Sequence, residues 1–493
     1  TKERGSWLIL ADEKGIGAEL AARLEKQGEE CSIVDSEQWT VDGFAELARS
    51  TLHSPLTTSL RGVVFLWGLD ANSAIAQQDV PDTARDLYAQ ALQLTQQIIQ
   101  SGAHPRVWFV TQEAVPVGQG GNLSNAPLWG LGRTIAWEHP ELQCTCVDVD
   151  KATTNLFDEI WFADNETQIA LRNGQRRVAR LVRHHETEKH PLTIDAQGSY
   201  LITGGLGGLG LQVAKWLVAQ GARYLTLAGR SGITETTQPV ITELENAGAR
   251  IQIVRGDVSQ RDDAARMVSA SQTLAPLKGI IHAAGVLDDG IVLHQTVERF
   301  ERVSAPKVRG SWYLHTLTQE LPLDFFVCFS SVVSLMGNAG QANYSAANAF
   351  MDALAHQRRA TGLPALSINW GAWAEVGLAV EVARRGEMEA LTPQEGIELL
   401  GELMRGTATQ VGAIPITWSK FQRQFPASKN IPLLAELLRH TEPKKATASL
   451  KQQLAAAPAE QRYGLLKSHI QAEMSAVLGT IPDDLQRFVE LGM

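Results

Sequence analysis

The residues of this chain with the clearest chemical meaning are the glycines of segment 203–210, which reads TGGLGGLG. They follow the apolar run 200–202 and precede LQVAKWLVAQG, whose apolar residues recur with a helical period. Strand, glycine turn and helix in this order form the context that a dinucleotide site requires. Glycines let backbone amides approach a pyrophosphate, and the helix N-terminus adds the positive end of its dipole. We therefore predict that a dinucleotide binds at Thr203, Gly204, Gly205, Gly207, Gly208, Leu209 and Gly210.

Further strands are predicted after the glycine turn, in segments 223–232, 251–260, 279–290, 324–335 and 364–373. In sheets of this kind, ligands bind at the carboxyl ends of the strands. Small residues at such an end let a cofactor lie across it. The predicted cofactor site therefore also includes Asp257, Val258, Ala283, Ala284 and Gly285.

The end of the strand after the glycine turn bears on the choice of cofactor. An NAD site usually has an acidic residue about 20 positions after the glycines, whereas an NADP site has arginine there. Here the strand ends in Arg230 and Ser231, and no acidic residue comes before Glu235. This pattern favours NADPH, with Arg230 and Ser231 near its phosphate. The alternative is that Arg230 is a solvated loop cation.

The first 35 residues repeat the order of strand, turn, helix and strand in a weaker form. This turn has only Gly15 and Gly17, and it carries Asp12 and Glu13, which would repel a pyrophosphate. We predict a nucleotide-binding fold that has lost its nucleotide site. The alternative is that the first half binds a ligand of its own.

The two halves of the chain resemble weak internal repeats. The strand that carries Gln112 and Glu113 aligns with the one that carries Ser330 and Ser331, and the first half has no tyrosine near Pro127. The predicted fold class is α/β with two Rossmann-like parallel-sheet subdomains, the first truncated and without a cofactor site, the second complete. The predicted boundaries are 1–190, 191–425 and 426–493.

Composition and charge exclude several classes of protein. The chain has 493 residues and a net charge of −10, without a long basic tract, so we do not expect nucleic acid as a partner. No run of about 18 apolar residues is present, so we expect no membrane partner. The four cysteines suggest neither a disulfide framework nor a metal site, and we interpret Cys144 and Cys146 as buried thiols of a cytoplasmic protein.

Four motifs together resemble a known family: TGGLGGLG, HAAGVLDD, FSSVVSLMGNAGQANYSAANAFMDALA and INWGAWAEVG. They are similar to the ketoreductase domain of modular polyketide synthases, a branch of the short-chain dehydrogenase/reductases. The resemblance covers residues 199 to about 400, and the first half resembles the structural subdomain of that family. It implies reduction of a β-ketoacyl thioester, carried by the phosphopantetheine of an acyl carrier protein, with NADPH.

The resemblance also implies the catalytic residues. Tyr344 corresponds to the proton donor, Ser331 to the group that hydrogen-bonds the carbonyl, and Lys307 and Asn348 to the rest of a tetrad. In typical short-chain dehydrogenases the lysine lies four residues after the tyrosine. Here that position is Asn348, an exchange for which the polyketide branch is known.

These residue types suit the reduction of a ketone, which needs a hydride on carbon and a proton on oxygen. A free tyrosine, with a pKa of about 10, is a poor acid near neutral pH. The Lys307 ammonium and the positive nicotinamide ring left after transfer are expected to lower the pKa of Tyr344. Ser331 shares the charge of the carbonyl oxygen, and Asn348 can hold a relay water. Taken singly, these residues also suit a strand-end cap, a packing aromatic and a solvated amine.

Stereochemistry is implied by a second part of the resemblance. Leu287, Asp288 and Asp289 match the LDD signature of B-type ketoreductases, and Met336 stands where A-type enzymes carry tryptophan. The resemblance therefore implies a D-configured hydroxyl, whereas the simpler interpretation of the aspartates is a polar turn. Residues 374–393 are a candidate lid.

The last residues resemble the beginning of an acyl carrier protein, including LLKSHIQAEMSAVLG and the final FVELGM. They suggest an excerpt from a longer polypeptide, with the carrier protein and other synthase domains as partners. A plain helix that docks on the body is the alternative. Two other functions stay open: a free-standing reductase of small ketones, and a catalytically silent or only epimerising domain.

Overall fold

The computed structural model of the chain describes residues 5–35, 60–71, 80–118, 121–151, 155–185, 188–378, 389–439, 454–455, 457–458 and 461–467. The chain divides into two compact units, Thr1–Leu434 and Ala435–Met493. Both sheets belong to the first unit. Most of the predicted linker and carrier-like tail lies outside the described residues.

The first sheet has seven strands and begins with the weaker glycine turn. They are β1 Ser6–Ala11, β2 Glu30–Asp35, β3 Leu60–Phe65, β4 Arg106–Gln112, β5 Thr145–Val149, β6 Gln168–Arg172 and β7 Gln175–Val178. The spatial order is β2-β1-β3-β4-β5-β6-β7, with β7 antiparallel to β6 and all other pairs parallel. Residues up to β7 are called the first half below.

The second sheet also has seven strands, and all of them are parallel. They are β8 Ser199–Thr203, β9 Tyr224–Gly229, β10 Arg250–Arg255, β11 Leu277–His282, β12 Phe325–Ser331, β13 Leu366–Trp370 and β14 Gln410–Ala413. The order β10-β9-β8-β11-β12-β13-β14 reverses direction between β8 and β11. This is the topological switch point where doubly wound sheets bind ligands. Residues 191–434 are called the second half.

Helices connect the strands and cover both faces of the sheets. In the first half they are α1 Ile16–Lys26, α2 Val80–Ser101, α3 Ala126–Glu138 and α4 Leu156–Trp161. In the second half they are α5 Gly208–Ala219, α6 Gln238–Asn246, α7 Arg261–Leu274, α8 Val297–Thr318, α9 Val332–Met336, α10 Ala342–Ala360, α11 Pro393–Met404 and α12 Trp418–Gln424. In the described part of the chain, no helix is both long and apolar enough to cross a membrane.

The two halves meet through helices, of which α3 and α10 form the closest pair. Gly130 of α3 faces Ser345 of α10 so closely that a Cβ on residue 130 would collide with the Ser345 backbone. Beside this contact, one apolar cluster joins residues of both halves, among them Leu128, Trp129, Phe300 and Ala346. Burial of shared apolar surface is the main force that holds such halves together.

The predicted fold class is confirmed, since two parallel-dominated α/β sheets are present. Cys144 and Cys146 are buried free thiols, as predicted, and Cys328 is buried as well. The domain boundaries at residues 190 and 425 stay predictions.

Candidate active site

The carboxyl ends of the strands of the second sheet open into a cleft of about 2180 Å³. Because these strands are parallel, their carboxyl ends share one edge of the sheet. Most of the residues that the sequence singled out line the cleft: Thr203, Gly204, Gly207, Gly208, Leu209, Gly210, Arg230, Ser231, Asp257, Val258, Ala283, Ala284, Gly285, Leu287, Asp289, Lys307, Ser331, Met336 and Tyr344. Gly205, Asp288 and Asn348 are not among the lining residues.

The glycine turn leaves the N-terminus of α5 open toward the cleft. Among the described residues no side chain caps the helix, and Gly207 precedes it in an extended conformation with φ −80° and ψ 166°. Gly204 adopts φ +67°, which side chains rarely allow, and a Cβ on Gly210 would collide with the Gly204 carbonyl oxygen. The first N–H groups of α5 therefore point at a space where a phosphate fits.

Arg230 lies directly after β9 at the rim of the cleft. Its carbonyl oxygen accepts a hydrogen bond from Arg255 Nε at 3.0 Å, while its exposed guanidinium forms no ion pair with the described residues. Asp257 is engaged within its own loop, where it accepts hydrogen bonds from the amide and hydroxyl of Ser259 at 3.0 and 2.8 Å. Arg230 thus supplies an exposed positive charge to the cleft that the start of α5 also lines.

Lys307 reaches the cleft from α8 and is buried with only 3% of its surface exposed. Its Nζ donates a hydrogen bond to the Phe329 carbonyl oxygen at 3.1 Å, and Gly285 lies against its aliphatic stem. Burial lowers the pKa of Lys307 to about 8, because an ammonium loses its hydration there. The group therefore changes charge close to physiological pH.

Tyr344 and Ser331 come from two different elements and meet at the cleft. Ser331 ends β12, and Tyr344 lies in the first turn of α10, with its ring centroid 5.2 Å from Lys307 Nζ. Burial raises the pKa of Tyr344 to about 12, while hydrogen bonds with Asn348 and Ser331 act in the opposite direction. The sequence predicts a lowered pKa instead. Lost hydration, together with the negative charge of Asp289, outweighs these hydrogen bonds, whereas the lowered pKa is expected with the positively charged nicotinamide ring beside the phenol.

Asn348 is fully buried behind Tyr344. Its Nδ2 donates a hydrogen bond to the Tyr344 carbonyl oxygen at 2.7 Å. Its Oδ1 has no hydrogen-bond partner among the described residues. A buried acceptor without a partner is a typical position for an ordered water.

A buried polar network that the sequence did not reveal fixes the end of β12. The Asp352 carboxylate accepts hydrogen bonds from the hydroxyls of Ser334 and Ser367, both at 2.6 Å, and from Asn369 Nδ2 at 2.9 Å. The same amide group lies 3.3 Å from the Ser331 carbonyl oxygen. These hydrogen bonds restrict the backbone that presents Ser331.

The three residues of the LDD motif lie in the loop after β11 and differ in whether they line the cleft. Leu287 and Asp289 line the cleft, whereas Asp288 turns away from it. The Asp288 carboxylate pairs with Arg299 at 2.6 Å and with Arg302 at 3.0 Å, and these arginines hold its pKa below the usual range. Asp288 therefore fixes the loop, and its two neighbours line the cleft.

Aromatic residues outside the predicted site form another wall of the cleft. Trp137 comes from α3 of the first half, and Phe421 and Phe425 come from α12 and the residue after it. The rings of Trp137 and Phe425 meet edge to face with centroids 6.2 Å apart. No local motif marks these positions, since they reach the cleft only through the packing of distant segments.

The candidate lid is described only at its two ends. Val376, Gly377 and Leu378 line the cleft, and Leu378 is half exposed. Residues 379–388, the centre of the predicted lid, lie outside the described residues.

Comparisons with known proteins agree with this architecture. The KR domain family matches residues 198–375, and the family described as polyketide synthase extender module SpnB, Rossmann fold domain, matches residues 18–181. A phenolphthiocerol/phthiocerol polyketide synthase of Mycobacterium tuberculosis is 34% identical over 466 residues, which cover 89% of this chain and 25% of that protein. The chain thus spans about a quarter of the length of the first curated relatives that it matches.

Solved structures extend the likeness to both halves. The first ketoreductase of the tylosin polyketide synthase is 31% identical with a TM-score of 0.75, covering 88% of this chain and 96% of that one. An A-type ketoreductase from a modular polyketide synthase has a TM-score of 0.76 at 28% identity, covering 90% of this chain and 95% of that one.

Proposed function

The chain belongs to the ketoreductases of modular polyketide synthases, and we propose that it reduces a β-ketoacyl thioester on an acyl carrier protein with NADPH. Enzymes of this family are oxidoreductases of the short-chain dehydrogenase/reductase type that act on β-keto groups with NAD(P)H. The choice of NADPH, the carrier-bound substrate and the residue roles are our proposal. The observation that carries it is the convergence of Lys307, Ser331 and Tyr344 beside the open N-terminus of α5.

The cofactor half of the cleft fits a dinucleotide phosphate. The N–H groups at the start of α5 hold the diphosphate, and the unpaired Arg230 guanidinium binds the additional 2′-phosphate that distinguishes NADPH from NADH. Ser231 and Asp257 lie on the same rim, and Ala283 and Ala284 leave room beside the strand ends. When bound, NADPH supplies a hydride to the carbonyl carbon and leaves a positive charge on its nicotinamide ring.

Three side chains of this protein act on the ketone oxygen, through a hydrogen bond, a proton transfer and charge stabilisation. The Ser331 hydroxyl donates a hydrogen bond to the carbonyl oxygen as negative charge develops there. Tyr344 gives its phenolic proton to that oxygen, so that the alkoxide becomes a hydroxyl. The Lys307 ammonium stabilises the resulting phenolate through its positive charge, because opposite charges in a buried site attract strongly.

Asn348 resupplies the proton through a water on its unpartnered Oδ1 in our proposal. Its amide already binds the Tyr344 backbone, which fixes the orientation of the Asn348 side chain. A relay of this kind passes a proton from solvent to the phenolate and so returns Tyr344 to its protonated form.

The substrate half of the cleft supports B-type stereochemistry. Leu287, Asp289 and Met336 line the same cleft as Tyr344. Met336 occupies the position at which A-type enzymes carry tryptophan, so we propose a D-configured hydroxyl product. Other synthase domains are proposed as further partners, and the free thiols suit a reducing cytoplasm.

The competing proposal is a silent or only epimerising domain. It would be favoured by the loss of the tyrosine, the serine or the glycine turn, and all three line the cleft here. A free-standing reductase of small ketones is disfavoured by the match of residues 18–181 to a polyketide synthase domain.

An assay with a model β-ketoacyl thioester tests the proposal. We expect the wild-type protein to oxidise NADPH in preference to NADH and to release one hydroxyl epimer, identified as D by chiral chromatography. Tyr344→Phe should lower kcat about a hundredfold or more, which is the usual contribution of a general acid. Tyr313→Phe, which removes a hydroxyl outside the cleft, is the matched control. Undiminished turnover in Tyr344→Phe would remove this tyrosine from the mechanism, and an L product would reject the B-type proposal.

A further inference from the structure

The last turn of α3, in the first half of the chain, contacts both of the loops that border the substrate space. The first of these loops, taken as residues 334–341, includes the last three residues of α9 and leads to the helix of Tyr344, and the other, residues 286–292, contains the LDD motif. Neither loop contacts α3 through apolar packing alone. Each presents backbone groups that polar side chains of α3 bind.

Trp137 binds the first of these loops at the residue that bears on stereochemistry. Its indole Nε1 donates a hydrogen bond to the Met336 carbonyl oxygen at 2.6 Å. The same tryptophan lines the cleft and packs against Phe425. Its ring is therefore a wall of the substrate space, and its N–H group fixes the position of Met336.

Glu138 binds both loops at once. Its Oε1 accepts a hydrogen bond from the Gly340 amide and its Oε2 accepts one from the Val292 amide, each at 2.7 Å. A third hydrogen bond, from the Gly290 amide to the Gly340 carbonyl oxygen, joins the loops directly at 2.7 Å. Hydrogen bonds from amides to a carboxylate are stronger than those between neutral groups, so Glu138 is the firmest of these links.

Arg133 adds a contact one turn earlier in α3. Its guanidinium donates hydrogen bonds to the Ser334 carbonyl oxygen and to Gln168 Oε1, so it also connects the loop to the first sheet. Gly337, with φ +74°, lies against the Arg133 carbonyl so closely that a side chain would collide with it. The segment from Ser334 to Gly340 is thus bound to α3 at several points along its length.

We propose that α3 determines which face of the ketone meets the cofactor, with Trp137 and Glu138 as positioning residues. This inference rests on the proposed function, because it concerns the product of that reaction. The network around Asp352 fixes Ser331 from within the second half, whereas Met336, Leu287 and Asp289 lie on loops that α3 binds. Loosening these loops lets the substrate rotate relative to Tyr344 without removing a catalytic group.

The epimer ratio of the product distinguishes this role from mere support of the fold. A variant that only unfolds more readily makes less product of the same ratio, since the ratio does not depend on the amount of folded enzyme. Trp137→Phe keeps an aromatic ring and removes the N–H donor, and Glu138→Gln removes the charge and one acceptor. Tyr88→Phe is the matched control, because it breaks hydrogen bonds to Glu301 and Ser304, both 2.9 Å, between the same halves but away from these loops.

We expect the minor epimer to rise about threefold to tenfold in Trp137→Phe and in Glu138→Gln, the range set by loss of one hydrogen bond. Tyr88→Phe should keep the wild-type ratio. A wild-type ratio in both α3 variants, or an equal shift in Tyr88→Phe, would overturn the inference and leave the proposed function intact. If Glu138→Gln does not fold, Trp137→Phe decides alone. A wild-type protein that makes no hydroxyl product would overturn the proposed function and this inference with it.

Discussion

The two glycine turns of this chain show how one topology keeps or loses an anion site. In the first half, the Asp12 carboxylate accepts hydrogen bonds from the amides of Gly17 at 2.7 Å, Lys14 at 3.1 Å and Ile16 at 3.3 Å. The start of α1 is therefore occupied by a carboxylate of the chain itself. In the second half, the start of α5 has no such partner in the part of the chain that the structure describes, and it faces the cleft. The presence of one acidic residue in the turn therefore decides whether the helix N-terminus binds a carboxylate of the chain itself or stays open to a ligand.

Equivalent helices of the two halves differ in the same way. Helices α2 and α8 each have 22 residues, and counting from the first residue places Gln90 of α2 where α8 has Lys307. The same count places Leu128 of α3 where α10 has Tyr344. At these two positions the first half has a neutral and an apolar side chain where the second half has the lysine and the tyrosine. Its helix α3 instead packs against α10 and binds the loops of the active site.

We expect the largest effect, a loss of NADPH affinity, when an acidic residue like that of the first turn is introduced into the second turn. Gly207 already has the backbone conformation of an N-cap, and its Cβ would meet only the Gly204 carbonyl oxygen, at 3.2 Å. Gly207→Asp can therefore cap α5 once the Gly204 carbonyl shifts by a few tenths of an ångström. We expect the Kd for NADPH to rise on the order of a hundredfold, because like charges a few ångströms apart repel by several kcal/mol in a partly buried site.

Gly207→Asn is the control for this experiment, since it has the same shape and caps the helix without a charge. Titration of NADPH fluorescence compares the two variants. Equal affinity in Asp and Asn variants would show that the open end of α5 does not hold the phosphates.

The sequence predicted the elements whose signals are local. The strands β8, β9, β11 and β12 were expected because their apolar runs are bounded by glycine or polar turns. The hairpin of β6 and β7 was missed although Asn173 and Gly174, with φ values of +50° and +73°, are the strongest short hairpin signal. The strand β14 has only four residues and is held by its pairing with β13, so little in the sequence marks it.

The residues of the candidate site also fall into those with a local sequence signal and those without one. Glycines, the strand-end serine and the helical spacing of Tyr344 and Asn348 were accessible from the sequence. Trp137, Glu138 and Asp352 were not, since their roles depend on which distant backbone or hydroxyl groups the fold brings beside them. The raised pKa of Tyr344 in the protein without cofactor also has no local signal, because desolvation depends on how the whole fold surrounds the phenol.

The second prediction concerns the buried charge that separates α8 from α2. Below a pH of about 8 Lys307 carries its proton, and above it the ammonium is lost, because burial lowers the pKa from 10.5. If the ammonium stabilises the Tyr344 phenolate, kcat/KM for reduction should be level below pH 8 and fall up to about tenfold per pH unit above it. Lys307→Met should be slower throughout and lack this decline.

A pH profile of initial rates from 6 to 10, with saturating NADPH, tests the prediction. Lys278→Met, which removes an ammonium from β11 outside the cleft, should keep the wild-type profile. A decline that persists in Lys307→Met would assign it to another group and leave the two helices equivalent in this respect.

The smallest effect should come from opening the first turn. Asp12→Ala removes the acceptor of the three amides at the start of α1, so we expect the free energy of unfolding to fall by about 1–2 kcal/mol, as for the loss of other helix caps. Asp12→Asn keeps one acceptor oxygen and should lose less. Thermal unfolding measures this difference, and equilibrium binding measures whether a second NADPH is taken up. We expect one NADPH per chain in both variants, because Ala11 and Lys14 stand where the second turn has Gly204 and Gly207 when Gly17 is aligned with Gly210. A second bound NADPH in Asp12→Ala would show that the acid alone had closed the first half to nucleotides.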